Sequence, residues 1–127
     1  LGNYAARTLT LAEKIREFKN IEVVKEINKA IEETKVKVAI ALDVFKLNEA
    51  LTAIWELISF GDRYINENKP WETNDKVIIY NALHVLESVA ELLKSFLPET
   101  ADKILTAIEH KDSTIIVKKI TSLFPRL

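Results

Sequence analysis

With 127 residues, two glycines and three prolines, the chain is one domain long and poor in turn formers, where average usage of about 12 % would supply roughly fifteen. An all-β sandwich or barrel, which needs a turn about every ten residues, is excluded. Eighteen basic against nineteen acidic side chains leave a net charge of −1, which argues against DNA or any other partner held by a broad cationic field; the lack of cysteine removes disulfides, thiolate zinc sites and cysteine nucleophiles.

Apolar residues make up 48 % of the chain and charged ones 29 %, a globular and not a disordered balance. No apolar run approaches the roughly 18 residues of a membrane span. The chain opens on Leu1 and contains no Met, and the expectation is a single domain over 1–127 that is a fragment of a longer polypeptide.

Tyr4, Leu11, Ile15 and Phe18 recur at helical steps and predict a first helix over about residues 3 to 18. Asn20 is a candidate cap for a second helix, about 21 to 42, whose inward stripe is Val24, Ile27, Ile31, Thr34, Val38 and Ala41. Its other face carries Lys25, Glu26, Lys29, Glu32, Glu33, Lys35 and Lys37, a mixed-charge solvated surface. Leu47, Ala50, Leu51, Ile54, Leu57, Ile58 and Ile65 define a third helix that Pro70 ends near Glu67 or Asn68. Thr73, Asn74 and Asp75 offer caps to a fourth, with Val77, Leu83, Leu86, Val89, Ala90, Leu93, Phe96 and Leu97 inward, closed by Pro98. Glu99 to Ile108 reads as a short fifth helix, and the β-branched tail from Ser113 is left unassigned. Short links make sequential helices antiparallel, so the predicted fold is all-α, an up-and-down bundle of about five helices.

Catalytic chemistry finds no support. A phosphate cradle needs clustered glycines, and Gly2 and Gly61 are far apart. Neither His84 nor His110 has a Glu three positions before it, as a bundle di-iron site requires, and no metal site is expected. His84 and Glu87 share a helical face, which suits a paired imidazole better than a ligand. Ser59 and Ser88 lack a recognisable base and orienting acid.

Two features point elsewhere. Trp71 directly follows the helix-ending Lys69-Pro70 and so belongs at the rim of the bundle, whereas Trp55, one turn from Leu51 and Ile58, suits the core or its margin. Two readings of Trp71 stay open on these grounds: a plug closing the bundle end, or a platform for an unpaired RNA base, where each stacked base contributes about 1–3 kcal/mol. Asn3, Arg7, Thr10 and Lys14 form a polar stripe on the first helix, either simply solvated or able to bond base edges and phosphates.

Leu1-Gly2-Asn3 with Arg7, Ala50-Leu51 with Ile54-Trp55-Glu56-Leu57, Tyr64-Ile65 with Pro70-Trp71, Leu97-Pro98, and Leu123-Phe124-Pro125-Arg126 occur in an order that resembles the C-terminal anticodon-binding bundle of methionyl-tRNA synthetases, which are class I enzymes. The likeness spans essentially the whole chain. It implies that Trp71 stacks on an anticodon base and that Asn3 and Arg7 hydrogen-bond the CAU anticodon. Lys14 and Lys69 are, from their placement alone, candidate phosphate contacts only. One departure is Asp62, where the family commonly has Asn before the Arg-Tyr pair. The resemblance further implies a cytoplasmic parent enzyme that ligates methionine to tRNA with ATP; its catalytic domain would precede Leu1. This segment has neither the His-Ile-Gly-His nor the Lys-Met-Ser-Lys-Ser signature, and it is expected to hold no cofactor or catalytic residue. The implied partners are the tRNA anticodon loop and that catalytic domain. Alternatives are the bundle of another class I synthetase, for valine, isoleucine, leucine or cysteine, and a helical adaptor that binds protein through an apolar groove. Straight helices would set Trp71 beside Thr10 and Lys14, whereas the resemblance sets it with Asn3 and Arg7.

Overall fold

The computed structural model describes residues 2–15, 17–19, 21–73, 75–111 and 114–117. The elements are α1 (Gly2–Ile15), β1 (Glu17–Lys19), α2 (Lys25–Asp43), α3 (Leu47–Asn68), the single turn α4 (Pro70–Thr73), α5 (Lys76–Leu93), α6 (Pro98–Ala107), β2 (Ile108–Lys111) and β3 (Thr114–Val117). Five helices of ten or more residues build the all-α bundle that the periodicity predicts. The most apolar helix, α5, is its axis: ten of its residues are buried, and it packs against α1, α2, α3 and α6. A helix buried on several sides reads as more than one stripe, and α5 does.

The inward stripe of α2 is as predicted from Ile27 through Ala41, with Val24 exposed before the helix starts. Leu47, Val77 and Leu97, assigned to inward stripes, are exposed at helix ends. Trp55 is corrected as well: it is 48 % exposed and shares a shallow outer groove of α3 with Thr52, Glu56, Ser59 and Arg63. One turn from Leu51 along a helix is still about 40° around the axis, enough to carry a large ring past the core margin.

Helix boundaries shift where long-range pairing takes over. The first helix ends at Ile15, and Phe18 is buried from a strand instead of from a helical turn. Strand β1 pairs antiparallel with β3, Phe18 opposite Ile115, and β2 pairs antiparallel with β3, His110 opposite Ile115, so the order is β1-β3-β2. The β-branched run Thr114-Ile-Ile-Val is thereby the central strand of a small sheet added to the bundle, in keeping with its propensity. Helix α2 starts at Lys25, four residues later than predicted, and the expected cap Asn20 lies outside the described residues. Asn81 of α5 secures this helix start instead. Its Oδ1 accepts from the Val24 N–H at 2.8 Å while its Nδ2 donates to Val77 O at 2.7 Å and Glu22 O at 3.5 Å. A buried amide with these partners satisfies both of its ends. The tail beyond Val117, with Phe124-Pro125-Arg126, lies outside the described residues.

Helix α1 is seated by Tyr4. Its ring is buried against Gly61 of α3, where a Cβ would fall 2.7 Å from the ring's Cζ, and its hydroxyl donates to Ala82 O of α5 at 2.6 Å. Only glycine lets α3 approach the ring this closely. Burial pushes the Tyr4 phenol far above its ordinary range, so it stays a neutral donor.

Candidate nucleic-acid interface

One end of the bundle gathers the start of α2, the end of α3, the turn α4 and the start of α5. Helix α3 closes on Lys69, whose N–H bonds Ile65 O at 2.9 Å and whose φ of 46° and ψ of 57° are left-handed. A left-handed lysine costs about 1–2 kcal/mol relative to a helical one. In exchange the chain reverses sharply, Pro70 is buried as the first residue of α4, and the Glu72 N–H returns to Lys69 O at 3.1 Å. The turn carries the backbone of Trp71 immediately past the end of α3; the Trp71 side chain lies outside the described residues. Asp75 then caps α5 as predicted, its Oδ1 accepting from Val77 N at 2.9 Å and Ile78 N at 3.4 Å.

Tyr64, one turn before the end of α3, reports how these pieces meet. Its phenol is pushed up by burial, then by the charges of Glu26 at the start of α2 and Asp75 at the start of α5. The adjoining cleft between α2 and α3 is lined by Glu26, Phe60, Arg63, Tyr64 and Glu67, two carboxylates beside one guanidinium.

The polar stripe of α1 meets this end at Arg7. Asn3, Thr10 and Lys14 are exposed and Arg7 is half-buried, while Thr8 faces the interior. Arg7 is the one that reaches α3: its Nη2 donates to Asn66 Oδ1 at 3.0 Å and its Nη1 stands 3.7 Å from Asp62 Oδ1. Asn66 is three residues before Lys69, so the guanidinium is held at the last turn of the helix that leads to Trp71. Asn3 lies one turn before Arg7 on the same face of α1, about 6 Å along the axis, and Lys14 about 10 Å beyond it in the last turn. The structure therefore brings Arg7 to the end of α3 and sets Asn3 in line with it.

Sequence reasoning misses Asn66, although Asp62 and Asn66 are four apart and must share a face of α3. That spacing is the available signal. Among the described residues no cluster of three or more His, Cys, Asp or Glu side chains forms a metal site, and no helix is long and apolar enough to cross a membrane.

Known proteins resemble this chain in sequence and fold. The pattern of the anticodon-binding domain of tRNA ligases matches residues 22–123. Methionine–tRNA ligase of Methanopyrus kandleri is 31 % identical over 121 residues, covering 89 % of this chain and 18 % of that protein. The enzyme of Clostridium acetobutylicum is 34 % identical over 125 residues, covering 85 % and 19 %, and that of Ignicoccus hospitalis 32 % identical over 123 residues, covering 89 % and 22 %. The chain thus spans about a fifth of the length of the relatives it matches. In fold it is similar to methionyl-tRNA synthetase of Mycobacterium tuberculosis bound by methionyl-adenylate, with a TM-score of 0.87, 20 % identity, and coverage of 98 % of this chain and 30 % of that one. The chain belongs to the anticodon-binding domain family of tRNA ligases, and its likeness within that family is to the methionyl-tRNA synthetases.

Proposed function

We propose that the chain reads the CAU anticodon of a methionine tRNA as a domain of a methionine–tRNA ligase, with Trp71 stacking on an unpaired base and Asn3 and Arg7 bonding base edges. Sequence-specific recognition of RNA loops works in general by splaying bases onto aromatic rings and bonding their exposed edges, which a near-neutral protein can do with a few converging contacts. The observation that carries this reading is the placement of Arg7 against Asp62 and Asn66, one turn before the Lys69-Pro70 reversal that leads to Trp71. A planar fork held there faces loop bases better than a lysine would. Lys14 serves as a phosphate contact. The ligation, with its ATP and methionine, belongs to the catalytic domain of the same polypeptide, acting in the cytoplasm; by binding the loop, this domain positions the acceptor end of the tRNA at that catalytic domain.

Fluorescence tests the proposal. In a Trp55→Phe chain Trp71 is the sole tryptophan, since the sequence holds two. A hairpin carrying CAU should shift its emission and a scrambled loop should not; equal responses to both would count against anticodon reading. A second reading has one specific observation behind it. Val36, Ile40, Val44, Phe45 and Leu47 are exposed together on α2 and its turn into α3, Phe45 at 90 %, as a helical adaptor would present them. Binding of neither hairpin would favour that reading.

A further inference from the structure

A guanidinium beside an RNA loop has two competing targets. Phosphates attract it through charge, without regard to sequence, and base edges accept its hydrogen bonds only when the fork is correctly oriented. Where charge alone acts, the phosphate is the stronger attraction. Arg7 is not left to charge alone. Asn66 Oδ1 accepts from Nη2 at 3.0 Å, which ties one arm of the fork to α3. Asp62 Oδ1 stands 3.7 Å from Nη1 and makes no hydrogen bond among the described residues, so its charge faces the guanidinium. Asp62 and Asn66 lie one turn apart on a single face of α3, which is why both reach the same group. Tyr4, one turn before Arg7, packs on Gly61, one residue before Asp62, and so fixes the offset between the two helices at this level.

We infer that Asp62 and Asn66 are positioning residues that make Arg7 a base reader and not a phosphate anchor, an inference that rests on the anticodon reading proposed above. Their roles divide by chemistry. The carboxylate cancels the charge that would draw Arg7 to the backbone, and the neutral amide sets the direction of its donors. The negative charge of Asp62 is on this view no handicap to RNA binding but a source of selectivity.

The test measures hairpin affinity against salt for CAU and base-swapped loops, with melting temperature recorded for each variant. Asp62→Asn should steepen the log–log salt dependence by about 0.7, the value of one added phosphate contact on a single strand. It should also strengthen binding of base-swapped loops more than of CAU, lowering the discrimination ratio about threefold or more. Asn66→Ala, at an exposed position, should lower the ratio by about 2- to 10-fold, as the loss of one hydrogen bond implies, with the salt slope unchanged. Asp62→Glu, which keeps the charge, should retain the wild-type slope. A purely structural role would shift melting and weaken all loops alike while leaving slope and ratio where they were, and that result overturns the inference. So does a rise in discrimination in Asp62→Asn. A wild-type chain that fails to distinguish CAU removes the anticodon reading and this inference together; a discriminating wild type whose variants keep slope and ratio removes this inference alone.

Discussion

Gly61→Ala sets two effects of opposite sign against each other at the contact that seats α1. In the middle of a helix, alanine is favoured over glycine by about 1 kcal/mol. At this site the added Cβ would lie 2.7 Å from Tyr4 Cζ and Oη and 2.8 Å from Cε2. The ring is buried and its hydroxyl is bonded to Ala82 O at 2.6 Å, so it cannot swing aside freely. Overpacking of this kind costs about 1–3 kcal/mol, and losing the hydroxyl's bond adds about 1 kcal/mol. The expected net is a loss of about 2 kcal/mol, which for a chain of this length lowers the melting temperature by about 7 °C. Thermal melts followed by far-ultraviolet circular dichroism read it directly. In a Tyr4→Leu background the ring atoms are gone, and the sign should reverse, Gly61→Ala then stabilising by about 1 kcal/mol. An unchanged or higher melting temperature in the single variant, or the same loss in both backgrounds, would refute the reasoning.

Tyr4→Phe should cost about 1 kcal/mol at neutral pH through the lost hydrogen bond. The phenol is raised in the folded state by burial, so its contribution is whole below the unfolded value of 10.0 and fades as pH rises through the folded one. Wild type is therefore expected to lose stability as pH rises above 10.0, and the fall should be shallower in the variant, as denaturant titrations across the range will tell. Asp75→Ala removes the cap of α5 and should lower stability by about 1 kcal/mol in the same melts. Lys14→Ala should weaken binding of every loop sequence alike and flatten the salt slope by about 0.7, with no change in discrimination.

What is legible in the sequence follows the reach of each signal. Helical stripes are local, and period alone places Ile27, Ile31, Thr34, Val38 and Ala41. The strand at Phe18 reads as helix because Phe18 continues the step from Ile15. Its true environment is Ile115, nearly a hundred residues on, and no local window contains that pairing. The same pairing explains why the β-branched tail resists assignment. Asp75 is legible as a cap since its partners are two and three residues away, whereas Asn81, bonded to Val24 across the fold, is not. At the candidate interface the polar stripe of α1 can be read, and the proposed contacts Asn3, Arg7 and Lys14 with it. The grip of Asp62 and Asn66 on Arg7 spans more than fifty residues and becomes visible only in three dimensions.

Anticodon reading turns on Trp71 acting as a stacking surface and not as a plug. The most direct measurement is the affinity of wild type and Trp71→Ala for a CAU hairpin, taken alongside helical content. Loop binding lost while the helices persist is the predicted outcome. A variant that unfolds, or one that binds CAU as tightly as wild type, would contradict it.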